Sequence, residues 1–128
     1  MAAGTGTLTV SFNSQDAAGG ALTINVNGVA IARTSELHNH SNGYSSGTPS
    51  TDTAIALGAV PDAELIFVIH NTDTVAGHYL IVRETIGGSA RSIAKVLPGE
   101  AWAFRLFNAP SIQSPIASVP YEAIVAAA

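Results

Sequence analysis

The chain has 128 residues and no cysteine, and its five basic and nine acidic side chains give a formal charge of -4. That length suits one domain, spanning residues 1–128, with a core of its own, and the lack of cysteine excludes disulfide frameworks, thiolate metal sites and cysteine nucleophiles. The basic residues Arg33, Arg83, Arg91, Lys95 and Arg105 are scattered singly, so there is no cationic track to neutralise phosphates and nucleic acid is not an expected partner.

Met1-Ala2-Ala3-Gly4-Thr5-Gly6 lacks the basic segment and apolar run of a secretory signal, and no apolar stretch is long enough to span a bilayer. The expectation is a soluble protein made in the cytoplasm, with no membrane partner. Charged residues make up only 11% of the chain against 47% hydrophobic, so much of the surface must be uncharged. Part of that exterior is expected to be covered by a partner or by further copies of the chain, a homo-oligomer and in particular a trimer. The alternative is a surface rich in Ser, Thr and Asn that is soluble without charge.

In chain order, Leu8, Val10 and Phe12 alternate with Thr7, Thr9 and Ser11, which predicts a half-buried strand. Leu22, Ile24 and Val26 keep one phase and Val29 and Ile31 the other, with Asn27-Gly28 at the slip. A two-residue hairpin turn accounts for this; a bulge at Gly28 within one longer strand is the alternative. Residues 34–53, TSELHNHSNGYSSGTPSTDT, are nearly devoid of apolar side chains, and that composition predicts a long polar loop. The loop is the first candidate contact surface, with His38, His40 and Tyr44 as its candidate contact residues.

Residues 54–60 read as a short apolar strand, and the run Leu65-Ile66-Phe67-Val68-Ile69 as a central strand buried on both faces. Two further strands are expected over 78–85 and 91–97, joined by Gly87-Gly88. Pro98-Gly99 fits the central positions of a type II turn leading into a strand over 101–107. There Trp102 alternates in phase with Phe104 and Leu106, which reads as core. Pro110 and Pro115 bracket an irregular connection to a last strand over 121–126. The total is about eight strands without a helix, an all-β antiparallel sandwich of jelly-roll type.

His38-Asn39-His40 would place two imidazoles on one side of an extended segment, and His70 and His78 flank a turn with Asp73 nearby. Neither set reaches the three or four ligands of a metal centre, so no metal or other cofactor is expected. The string HNH lacks the metal-binding β-β-α unit that nuclease chemistry needs. Asp62, Glu64 and Glu84 read as solvated surface carboxylates, Glu84 beside Arg83. No nucleophile elbow, phosphate loop or dinucleotide fingerprint occurs, so no catalytic residue is assigned and the chain is not read as an enzyme. Trp102, Tyr44, Tyr79 and Tyr121 make a carbohydrate-binding module the rival from another class, with Tyr44 the one aromatic free to meet a ligand.

The second half, from ELIFVIHNTDTVAGHYLIVRE through SIAKVLPGEAWAFRLFN to VPYEAIVAA, resembles small β-sandwich virion proteins of tailed bacteriophages. Its most recognisable piece is Leu97-Pro98-Gly99-Glu100 entering an aromatic strand, followed by a closing strand with Tyr121-Glu122. The resemblance implies a jelly-roll capsid decoration (cement) protein, often trimeric at three-fold positions of the shell, stabilising the head on the major capsid protein lattice. It transfers no individual functional residue. A tail or fibre component is the close alternative.

Overall fold

The computed structural model describes residues 5–15, 21–32 and 37–127; the N-terminal segment 1–4 and the first part of the expected loop, residues 34–36, lie outside the described residues. The described residues form ten strands and no helix: β1 (Thr5–Gln15), β2 (Ala21–Ala32), β3 (His38–Tyr44), β4 (Thr53–Ala54), β5 (Leu65–Asn71), β6 (Leu80–Ile86), β7 (Ser89–Val96), β8 (Ala101–Leu106), β9 (Pro110–Gln113) and β10 (Pro120–Ala127).

β1 and β2 pair with each other as a two-stranded sheet. The expected hairpin turn at Asn27-Gly28 is not there; β2 runs straight through it and the alternative holds. Leu8 pairs with Val29 and Val10 with Val26, so Asn27 and Gly28 together oppose Thr9. That extra residue is a β-bulge, and it resets the strand's phase. The apolar positions on either side of the slip therefore face the same partner strand in register.

β3 to β10 form an antiparallel β-sandwich of jelly-roll type, with sheet orders β3-β10-β5-β8 and β4-β9-β6-β7. The pairing is that of one long hairpin folded over: β3 with β10, β4 with β9, β5 with β8 and β6 with β7. Two cross-pairings, β10 with β5 and β9 with β6, close the sheets. β5 lies second from the edge, and its burial alternates strictly between fully buried and half-buried. Leu65, Phe67 and Ile69 face the core with Leu80, Val82, Val96, Ile112 and Val125. Each such side chain contributes about 1.5 to 3 kcal/mol of burial. Phe67 stacks on Phe104 with ring centroids 6.3 Å apart. The other face of β5, with Ile66, Val68 and His70, is only half covered, so the expected two-sided burial is corrected to one-sided.

The 34–53 segment is not a free loop. Its residues 38–44 are β3, paired with β10 from His38 opposite Ala126 to Tyr44 opposite Pro120. The strand carries no apolar stripe because small inward residues suffice under an aromatic neighbour. At Gly43 an added Cβ would sit 2.8 Å from the Tyr121 hydroxyl. Residues 45–52 are tied down as well. Ser45 exchanges backbone and side-chain bonds with Val119, and the Ser50 amide donates to the Ser114 carbonyl. Arg83 places Nε 3.0 Å from Asp52 Oδ1.

Two other expectations change. Of the 54–60 stretch only Ala54 is strand, as the second residue of β4, although Ile55 and Val60 are buried in the core. Residues 110–113, expected as irregular, form β9. Proline is tolerated there as the first residue of a strand.

Asn71, at the end of β5, is fully buried. Its Nδ2 donates to the carbonyls of His78 and Val96, and its Oδ1 accepts from the Asp73 amide. Its backbone N–H donates to Glu100 and its carbonyl accepts from Gly99. Replacing Asn71 by Ala strands the buried Val96 carbonyl and the part-buried His78 carbonyl, and the expected cost is about 2 to 4 kcal/mol, read as a lower urea midpoint with unchanged slope. Deleting residues 38–44 is expected to abolish cooperative thermal unfolding, because it removes an edge strand and bares β10. A cooperative melt of the deletion variant would contradict that placement.

Candidate functional surface

The outward face of the β3-β10-β5-β8 sheet is built by register. One row across the strands holds His38, Ala126, Ile66 and Arg105, the next His40, Ile124, Val68 and Ala103, and the third Asn42, Glu122, His70 and Ala101. Its centre is apolar, with Ile124 41% exposed and Ile66 and Val68 half-buried. Histidines flank that centre on two strands. His40 Nε2 lies 2.8 Å from Glu122 Oε2 and His70 Nδ1 3.8 Å from Glu122 Oε1, so one carboxylate serves two imidazoles. Arg105 is neutralised by Glu64 at 2.8 Å. The face is an apolar strip bordered by polar groups that are engaged with one another.

His38 and His40 do share a side of an extended segment, as their spacing implies. Tyr44 continues the same phase and is 66% exposed. His70 and His78 are not brought together. His70 turns to Glu122 on the outer face, whereas His78 Nδ1 meets Asp73 Oδ2 at 2.8 Å. Among the described residues no group of three or more His, Cys, Asp or Glu side chains has the arrangement of a metal site.

Trp102 corrects the core expectation. It pairs in register with inward-facing Ile69 but is 49% exposed, because β8 is the last strand of its sheet. Alternation assigns a residue to a face, and cover depends on what lies opposite. Tyr44 and Trp102 stand on the two outermost strands of one sheet, roughly 14 Å apart at ordinary strand spacing and in opposite phases. They do not form one aromatic platform. Tyr121 is buried, and burial raises the pKa of its hydroxyl.

The carboxylates that sequence leaves as solvated have structural duties. Glu84 is buried, and its Oε1 accepts the amides of Phe107 and Asn108. Asp62 accepts the Ala109 amide. A cleft of about 540 Å³ is lined in part by Asp62, Thr85 and Asn108, but Asn108 donates to the Thr85 carbonyl and Asp62 is engaged as above. Its polar groups hold turns in place. Sequence reasoning missed the Glu122 cluster, since its members come from three strands and no local spacing joins them.

Comparison with protein-family models, with curated proteins and with solved structures finds no match to the chain.

Asp73 supplies a pH prediction. Its carboxylate accepts the Val75 and Thr74 amides and the His78 ring, and these bonds, led by that of Val75, hold its pKa below the usual 3.8. A carboxyl depressed in the folded state contributes stability above its unfolded pKa and loses it as pH falls through the folded value. Asp73→Asn is expected to melt lower than the parent at neutral pH. The gap should narrow as pH drops below 3.8. A gap independent of pH would contradict the assignment.

Proposed function

We propose that this protein is a non-enzymatic structural component of a tailed-phage virion, a decoration protein that binds the assembled capsid shell as a homo-oligomer and stabilises the head. The observation that carries the reading is the outer face of the β3-β10-β5-β8 sheet. There Ile66, Val68, Ile124 and Ala103 lie open between strands whose ionisable groups are largely paired among themselves. An open apolar strip of this kind suits a flat protein partner. The resemblance of segments within residues 64–127 to small phage β-sandwich proteins implies the major capsid protein lattice as the partner. On a symmetric lattice weak individual contacts suffice, because each later contact forms at high effective concentration.

The test is cosedimentation of the purified protein with undecorated phage heads, followed by heat or low-salt challenge. Binding saturates at a fixed ratio per shell subunit, and decorated heads survive longer. Ile124→Glu, an exposed position on the open strip, weakens binding by about tenfold or more while leaving the fold's melt nearly unchanged. Heads that neither bind the protein nor gain stability overturn the reading. If a glycan array then gives signals that vanish with Tyr44→Ala, a carbohydrate-binding module replaces it.

A further inference from the structure

We infer that His38, His40 and His70, set around Glu122, make the outer face of the β3-β10-β5-β8 sheet a proton-operated surface, one that docks while its imidazoles are neutral and lets go when they are charged. This is a regulation of the docking surface proposed above and rests on that reading. What carries it is a mismatch in number, because one carboxylate stands between two imidazoles with a third imidazole close by.

Strand order assembles the cluster. His40 of β3 and His70 of β5 lie on either side of Glu122 of β10, 2.8 Å and 3.8 Å from its two oxygens. His38 precedes His40 by two residues on the same exposed side of β3, and Tyr44, a phenol, ends that side. On β8 the charged group of this face is Arg105, held by Glu64. Glu100, in the turn before β8, accepts the Leu97 amide through its Oε1. The fourth histidine of the chain, His78, is bound to Asp73 away from this face.

Histidine is the side chain whose charge changes between about pH 5 and 8. With the imidazoles neutral, Glu122 gives the cluster a single negative charge. The first proton taken up beside it turns that contact into a neutral ion pair. Every later proton adds a positive charge for which Glu122 has no second charge to offer, so the cluster passes from net negative to net positive. In the free protein the cost is small. The side chains of His40, His70 and Glu122 are 51%, 41% and 42% exposed, and ions so exposed stay hydrated.

A docked partner changes that balance. His40 shares its row with Ile124 and Val68, and His70 stands in the next row beside Glu122, so a flat partner laid on the apolar strip covers the imidazoles with it. A neutral imidazole tolerates such cover, whereas an unmatched cation loses its hydration and gains no counter-charge. Proton uptake therefore favours the undocked state, the general behaviour of histidine clusters at interfaces.

The experiment uses the full chain and, as a probe that needs no capsid, partition onto a neutral phenyl resin at fixed ammonium sulfate. The parent is compared with the triple variant His38→Gln, His40→Gln, His70→Gln, which keeps His78 and so shares every other titration of the chain. The ratio of parent to variant partition is expected to fall about tenfold or more between about pH 8 and about pH 5.5. Ile124→Glu is expected to lose retention at the higher pH, which places the resin contact on the strip. A ratio that is constant with pH or rises in acid overturns the inference, as does Ile124→Glu retained as well as the parent. Undecorated heads give the second readout. Binding by the parent that is lost in acid while the triple variant stays bound supports the switch, and binding by the parent that is equal at both pH values overturns it. Heads that bind neither protein at any pH overturn the decoration reading instead, and the resin ratio alone then decides the switch.

Discussion

The sandwich is organised around a buried amide. Asn71 occupies an inward position of β5, in phase with Leu65, Phe67 and Ile69, where a leucine would pack without polar cost. An amide there is tolerated only if its donors and acceptor are all paired. Its Nδ2 reaches one carbonyl at the end of the 72–78 connection and another on β7, in the opposite sheet. Its backbone takes both the amide and carbonyl partners it needs from the Pro98-Gly99-Glu100 turn. One residue thus fixes the spacing of the two sheets at this end, the return of the chain toward β6 and the point at which β8 begins. The turn itself depends on Gly99, whose φ of +84° is the conformation a type II turn needs.

That anchor also places β8 and the outer face of β5. β8 starts where the Asn71 turn delivers it and is the last strand of its sheet. β5, pinned by the same residue, presents Ile66, Val68 and His70 outward beside Glu122 and Ile124 of β10. Ion pairs as exposed as those of Glu122 stabilise a fold by roughly 0 to 1 kcal/mol, so the His40–Glu122–His70 group adds little to folding. Its effect is on the surface, where it joins side chains of three strands at one end of the strip. The charge-poor composition has one clear location: strands 5–15 and 21–32 contain no charged residue.

What could be read from sequence follows the strength of each local signal. β5, β10 and the Pro98-Gly99 turn were legible because continuous apolar runs and a paired Pro-Gly leave few alternatives. The jelly-roll class followed from counting such runs. β3 was not legible: its inward positions are Asn39, Ser41 and Gly43, and it is held by backbone pairing to β10 under Tyr121, which leaves no periodic hydrophobic trace. β9 was hidden by its four-residue length and leading proline. The phase slip at Asn27-Gly28 was seen but assigned to a turn, since a bulge and a hairpin produce the same local pattern and only the partner strand β1 separates them. Trp102 failed for a related reason, because phase is local and cover is tertiary. His38, His40 and Tyr44 were picked for lying in a polar segment. Their common outward face arises instead from strand alternation, and the cluster of His40 and His70 around Glu122 needs the strand order β3-β10-β5.

The central claim is that one face of one sheet is the docking surface of a protein that works by assembly. Imaging of a decorated head, at a resolution that traces the strands, tests it most directly. The account predicts density for this chain on the outside of the shell with β3, β10 and β5 turned toward the capsid protein and Ile124 and Val68 in the contact. Density with the β4-β9-β6-β7 sheet against the shell, or heads that carry no such chain, would contradict it.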